Sequence, residues 1–130
     1  RAAAKGLADD TRVRLVAGDC GQDRLGMTQK EWDLVARETS VVVHNAAVVS
    51  WIKPHASLHA VNVGGTVQCI KMCTSGGRAK RLLYVSSISA YQSHEESMKG
   101  MEEPHFSFED GAAMEAMGGY GSTKRVSEEL

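Results

Sequence analysis

The sequence has no excess of charge of either sign, no long apolar run and no even set of cysteines, and each shortage removes a class of protein. Lys and Arg number 15 against 16 Asp and Glu, a formal net charge of -1. That balance offers no electrostatic footprint for nucleic acid or an anionic membrane surface. No apolar stretch nears the roughly 20 residues of a membrane-spanning helix, and no secretory signal opens the chain. Cys20, Cys69 and Cys73 are an odd number without metal-type clustering, so reduced thiols in a cytoplasmic setting are expected. An initiating methionine is missing too, and Leu130 ends the chain inside a helical pattern with no glycine or asparagine cap. We expect a piece of something longer. At 130 residues there is room for one domain, and 42% hydrophobic with 24% charged residues describes an ordinary globular chain.

What is present reads as alternating strands and helices. "TRVRLVAGD" (Thr11 to Asp19) predicts a strand entering a Gly-Asp turn. Thr28 opens "TQKE", a capping box in which Thr28 and Glu31 satisfy each other's orphan amides, and a short helix should follow to about Glu38. The unalternating β-branched run Val41 to Val43 suits a strand covered on both faces. Pro54 suits the first turn of a long helix ending at Gly76-Gly77. Gly64 and Gly65 inside it are either tolerated weakness or close approach to a neighbouring element. "RLLYVSS" (Arg81 to Ser87) predicts a third strand, and a last helix carries Tyr120 and Lys124. Between them, Gln92 to Gly118 lacks periodicity, and a loop that long is usually functional or mobile. This order predicts an α/β fold, a partial Rossmann-type doubly wound parallel sheet with right-handed crossovers. Ligands in such sheets bind beyond the carboxyl ends of the strands. Gly18-Asp19, His44-Asn45-Ala46-Ala47 and Ser86-Ser87 fall at those ends.

Tyr120 and Lys124 stand four apart, so a helix presents a phenol and an ammonium on one face. Such pairs are common on helix surfaces. Their meaning comes from the order of strand-Asn-Ala-Ala, helical Asn62, strand-Ser-Ser and then Tyr-x-x-x-Lys. In that order the chain resembles the extended short-chain dehydrogenase/reductase superfamily. More narrowly, "VVVHNAAVVSWIKPHASLHAVNVGGT", with its Trp51, Pro54 and Asn62-Val63-Gly64-Gly65-Thr66 spacing, resembles the thioester reductase domains of nonribosomal peptide and polyketide synthetases. Aminoadipate and carboxylic acid reductases share that pattern.

The resemblance implies that residues 1–130 are the central part of an NAD(P)-binding reductase domain. It implies Tyr120 as general acid, Lys124 as its partner and ribose ligand, and Ser87 as the hydroxyl polarising the carbonyl, with Ser86 the alternative one residue away. Asp19, with Cys20 beside it, matches the adenine end of the cofactor site. Asn45, Ala46 and Ala47 match the small residues along the cofactor, and Asn62 matches an asparagine near the active site, although bridging helix and strand backbone is an equal reading for it. NADPH is the implied cofactor, with NADH not excluded, and the implied partner is an acyl or peptidyl carrier domain bearing a phosphopantetheine thioester. The glycine-rich dinucleotide turn is absent from the sequence, and the family places it upstream of Arg1, where "RAAAKGL" would be the tail of a helix. A sugar-nucleotide epimerase or dehydratase of the same superfamily would share Ser87, Tyr120 and Lys124, but the Trp51-Pro54 pattern disfavours it. A redox-silent cyclase and a non-catalytic truncated module are the readings from other classes.

Remaining candidates point to structure. His55 and His59 are four apart, but "HASLH" lacks the glutamate of a zinc-protease helix, so no metal is expected. Cys69 and Cys73 share a helix face and read as core thiols. Met98, Met101, Met114 and Met117 either line a substrate loop or sit on a mobile surface segment.

Overall fold

The computed structural model describes residues 11–90 and 115–130. The amino-terminal "RAAAKGL" segment lies outside them, as do Met98, Met101 and Met114. Of the aperiodic stretch 92–118 only 115–118 are described, and Gly118 already belongs to the last helix.

Helix α1 spans Gln29–Glu38. Its start is the expected capping box: Glu31 N–H donates to Thr28 Oγ1 at 3.3 Å, and Thr28 N–H donates back to Glu31 Oε2 at 2.9 Å. Strand β1 (Val41–His44) follows, then α2 (His55–Thr74), with Pro54 capping it from outside rather than within its first turn. Gly76 and Gly77 adopt φ of 74° and 79°, the left-handed backbone that stops α2. Strand β2 (Arg81–Tyr84), a 3-10 turn at Ile88–Ala90 and α3 (Gly118–Glu128) complete the order.

β1 and β2 pair in parallel, Val41 opposite Arg81 through His44 opposite Tyr84. The crossover between them is α2, so this is a βαβ unit and a partial Rossmann-type sheet. Residues two apart share a sheet face. Val42, His44, Leu82 and Tyr84 therefore face one way, and the helices lie there: Trp32 and Ala36 of α1 pack with Met72 of α2, and Val42 packs against them.

Two expectations are corrected. Val13–Val16 form no strand among the described residues, and Leu15 and Val16 are exposed. An apolar run needs a ladder partner before it is a strand, and none of the described segments pairs with it. Nor is β1 covered on both faces, because Val41 and Val43 are exposed and no described helix lies over them.

Candidate active site

Tyr120 sits in the first turn of α3, and the approach of that turn depends on the glycines flanking it. A Cβ on Gly119 would lie 2.1 Å from the Lys53 carbonyl oxygen, and one on Gly121 would lie 2.1 Å from that of Ser89. Only glycine lets the backbone come so close on both sides. Tyr120 is thereby wedged between the entry to α2 and the turn that follows β2. Trp51 stands edge-on to its ring at 6.3 Å between centroids and is itself 80% exposed.

One turn further along, Lys124 is 3% exposed. Its Nζ donates to the Val85 carbonyl at 2.7 Å and lies 4.7 Å from the Tyr84 ring centroid. Burial pushes its pKa down and Glu128 opposes that shift. Beside it, His44 is also buried, its Nε2 paired with Thr66 Oγ1 at 3.1 Å. Its pKa is lowered by burial first and by the Lys124 charge second.

A polar zipper holds α3 to α2. Asn62 and Thr66 are one helical turn apart, as are Thr123 and Ser127 facing them. Asn62 Nδ2 donates to Thr123 Oγ1 at 2.9 Å, and Thr66 Oγ1 donates to Ser127 Oγ at 3.2 Å. Asn62 also accepts from Val48 N–H at 2.8 Å and donates to Val48 C=O at 3.1 Å. In this structure Asn62 is thus the bridge between helix and strand-end backbone, and its amide is fully engaged. His55 adds a tie, with Nδ1 2.8 Å from Ser122 Oγ and Nε2 3.0 Å from His59 Nδ1. The sequence carries the zipper as two i, i+4 polar pairs, which would mark Thr66, Thr123 and Ser127; no local pattern marks Tyr84, whose place depends on β2 meeting α3.

Ser87 and Ser86 have different surroundings. Ser87 Oγ accepts from Ser89 N–H at 3.2 Å, opening the 3-10 turn on which Gly121 rests. Ser86 Oγ instead donates to Glu128 at the far end of α3. Asn45 and Ala46 are exposed and Ala47 half-buried at the carboxyl end of β1.

Asp19 lies apart from this cluster, in a loop closed by its own N–H donating to Leu25 C=O at 2.7 Å. Its carboxylate accepts from Gly21 N–H and Gln22 Nε2, both at 2.9 Å, and the first of these bonds is the larger cause of its lowered pKa. Cys20 touches α2 at Gly65, where a Cβ would lie 3.1 Å from Cys20 Cβ. Close approach therefore explains Gly65. It does not explain Gly64, whose added Cβ would meet only His59 C=O of its own helix at 3.8 Å. Cys69 and Cys73 are buried in α2 as core thiols, and burial pushes Cys69 up to about 11.

Parallel strands joined by α2, with Tyr-x-x-x-Lys packed at their carboxyl ends, define a Rossmann-type α/β protein of dehydrogenase/reductase design. The chain belongs to the NAD-binding family described as "Male sterility protein", whose model matches residues 2–130. It is 40% identical over 79 residues to the L-2-aminoadipate reductase large subunit of Penicillium chrysogenum, covering 61% of this chain and 6% of that protein. With the L-2-aminoadipate reductase of Schizosaccharomyces pombe it shares 32% identity over 127 residues, 92% of this chain and 9% of the relative. Among solved structures, the terminal R domain from the myxalamid PKS-NRPS biosynthetic pathway superposes with a TM-score of 0.74 at 33% identity, covering 97% of this chain and 30% of that one. These likenesses bear out the resemblance to thioester reductases drawn from the Val41 to Thr66 stretch. A nicotinamide cofactor goes with the family. The residues present fit its ribose end: a buried ammonium at the strand ends is a hydrogen-bond donor suited to a hydroxyl.

Proposed function

We propose that residues 1–130 are the central part of an NADPH-dependent reductase domain, releasing a carrier-bound acyl or peptidyl thioester as an aldehyde or alcohol, in the cytoplasm. Its partner is an acyl or peptidyl carrier domain whose phosphopantetheine arm presents the thioester. The observation that carries this reading is the pairing of Tyr120, wedged by Gly119 and Gly121, with Lys124 buried at the end of β2 one turn away. Reductases among the relatives and the R-domain likeness support it.

The cofactor, when bound, supplies the hydride. Lys124 would hold its ribose end, with Asp19 and Cys20 toward the adenine. As negative charge develops on the carbonyl oxygen, Tyr120 donates its proton there, giving a hemithioacetal that collapses to aldehyde and free thiol. The ammonium of Lys124, one helical turn away, stabilises the phenolate left behind. Ser87 donates a second hydrogen bond to the same oxygen.

The test uses the full-length protein. Tyr120→Phe keeps the ring and its Trp51 contact but removes the acid, so single-turnover thioester reduction should fall about 10²- to 10⁴-fold with NADPH affinity little changed. Lys124→Met should lose rate and cofactor affinity together. Rapid-quench rates and melting temperatures separate this from a structural role. Wild-type-like reduction by folded Tyr120→Phe would sink the proposal.

A further inference from the structure

We propose that the aromatic face of Tyr84 seats the Lys124 ammonium, which makes Tyr84 a positioning residue of the reaction; this rests on the reductase reading above. Lys124 Nζ is 4.7 Å from the Tyr84 ring centroid and 2.7 Å from the carbonyl of the adjacent Val85. The end of β2 thus supplies both a hydrogen-bond acceptor and a π face to one buried cation. Such contacts strengthen where water is excluded, and Lys124 is 3% exposed.

The chemistry explains why a ring suits this place. An ammonium carries three donors and no acceptor. A carboxylate beneath it would compensate the charge but would also take up one or more of those donors. The negative face of a phenol compensates charge without accepting a proton in a directed bond. Among the described residues the Val85 carbonyl, just past β2, takes one of those donors, which leaves the others for a ribose hydroxyl.

Tyr84 is itself held. Its ring stands 5.6 Å from that of His44, and hydrogen bonding with Ser127 and Thr66 pulls its phenol pKa back against the rise caused by burial. Hydroxyl and face therefore have separable tasks: the hydroxyl anchors the ring, and the face seats the lysine. The other titratable groups that act on Lys124 or on Tyr84 are His44 from β1 and Glu128 and Tyr120 on α3 itself. From α2, the uncharged Asn62 and Thr66 meet α3 beside Lys124, while the titratable pair His55 and His59 meets it at Ser122; the turn at Ile88–Ala90 holds no titratable side chain.

The experiment places phenylalanine at position 84 of the full-length protein, then mono-, di- and trifluorophenylalanine, which keep the ring volume while weakening its negative face. The readouts are the NADPH dissociation constant, the pH profile of single-turnover reduction and the melting temperature. Tyr84→Phe should lower the melting temperature through the lost hydroxyl, with cofactor affinity held within about twofold because the face remains. Across the fluorinated series affinity should then fall stepwise by roughly tenfold, the alkaline limb of the profile moving to lower pH as the ammonium loses its support. A flat series overturns the inference, as does a Tyr84→Phe variant that already shows the whole loss. Lys124→Met separates the two ideas. If that variant loses affinity and rate while the fluorinated series is flat, the Tyr84 inference alone fails. If folded Lys124→Met keeps both, the reductase reading of the site fails with it.

Discussion

His44 is a histidine ring with almost no access to water, and its surroundings set a pH dependence. Its pKa is lowered, by burial above all and then by the Lys124 charge. His55 shifts the same way, by burial and then by His59. A lowered folded pKa means that the unfolded chain binds more protons below about pH 6.5, the ordinary value for histidine. The associated stability is complete above that pH and is lost as the pH falls through the folded pKa. Melting temperature should therefore drop by a few degrees on acidification from neutrality. His44→Gln, which keeps a polar partner for Thr66 without the titration, should flatten that slope. Parallel melting curves for the two proteins would show that His44 is not responsible.

Two glycines separate at the scale of elements. Gly119→Ala places a Cβ against the Lys53 carbonyl, so α3 must lift from the entry to α2 and carry Tyr120 with it. Overpacking of this kind costs about 1–3 kcal/mol, and the displaced phenol should lose rate beyond what the lower stability explains. Gly64→Ala meets no neighbouring element and gains helix propensity, so it should stabilise α2 by up to about 1 kcal/mol. Melting and single-turnover assays on both variants check the contrast. If Gly119→Ala melts and turns over like the wild type, the wedge around Tyr120 is not tight. Both glycines are plain in the sequence as weak helix formers, but which one matters depends on what crosses it. That is a tertiary fact.

At the scale of the molecule, the described helices lie on one side of the sheet. Val41, Val43 and Leu83 stand exposed on the other, and the two strands among the described residues make a sheet that is marginal by itself. Purely parallel sheets are otherwise found covered on both faces. The 130-residue chain alone should therefore associate through this face or remain only partly ordered. A sharp, reversible melt of a monomer, checked by light scattering, would contradict that. The same chain should bind NADPH weakly, since its sequence holds no glycine-rich turn to cradle a pyrophosphate at a helix N-terminus. Calorimetry returning a submicromolar dissociation constant would refute this expectation.

Local chemistry determined much of the architecture from sequence alone. The Thr28-Glu31 box starts α1, the β-branched run makes β1, Gly76-Gly77 stops α2, and the i, i+4 spacing sets Tyr120 and Lys124 on one side of α3. Each of these follows from backbone sterics or from hydrogen bonds within a few residues. Tertiary structure decided the rest. Val13–Val16 read as a strand but has no ladder among the described residues, because pairing is a property of two segments. Spacing sets Lys124 on the Tyr120 side of its helix, but its burial against Tyr84 and Val85 depends on a strand about 40 residues away. Asn62 was open between two roles until Val48 and Thr123 closed around it from opposite sides. Spacing can place such groups on a face, but only packing removes water and supplies the partner, and those two steps set their energies.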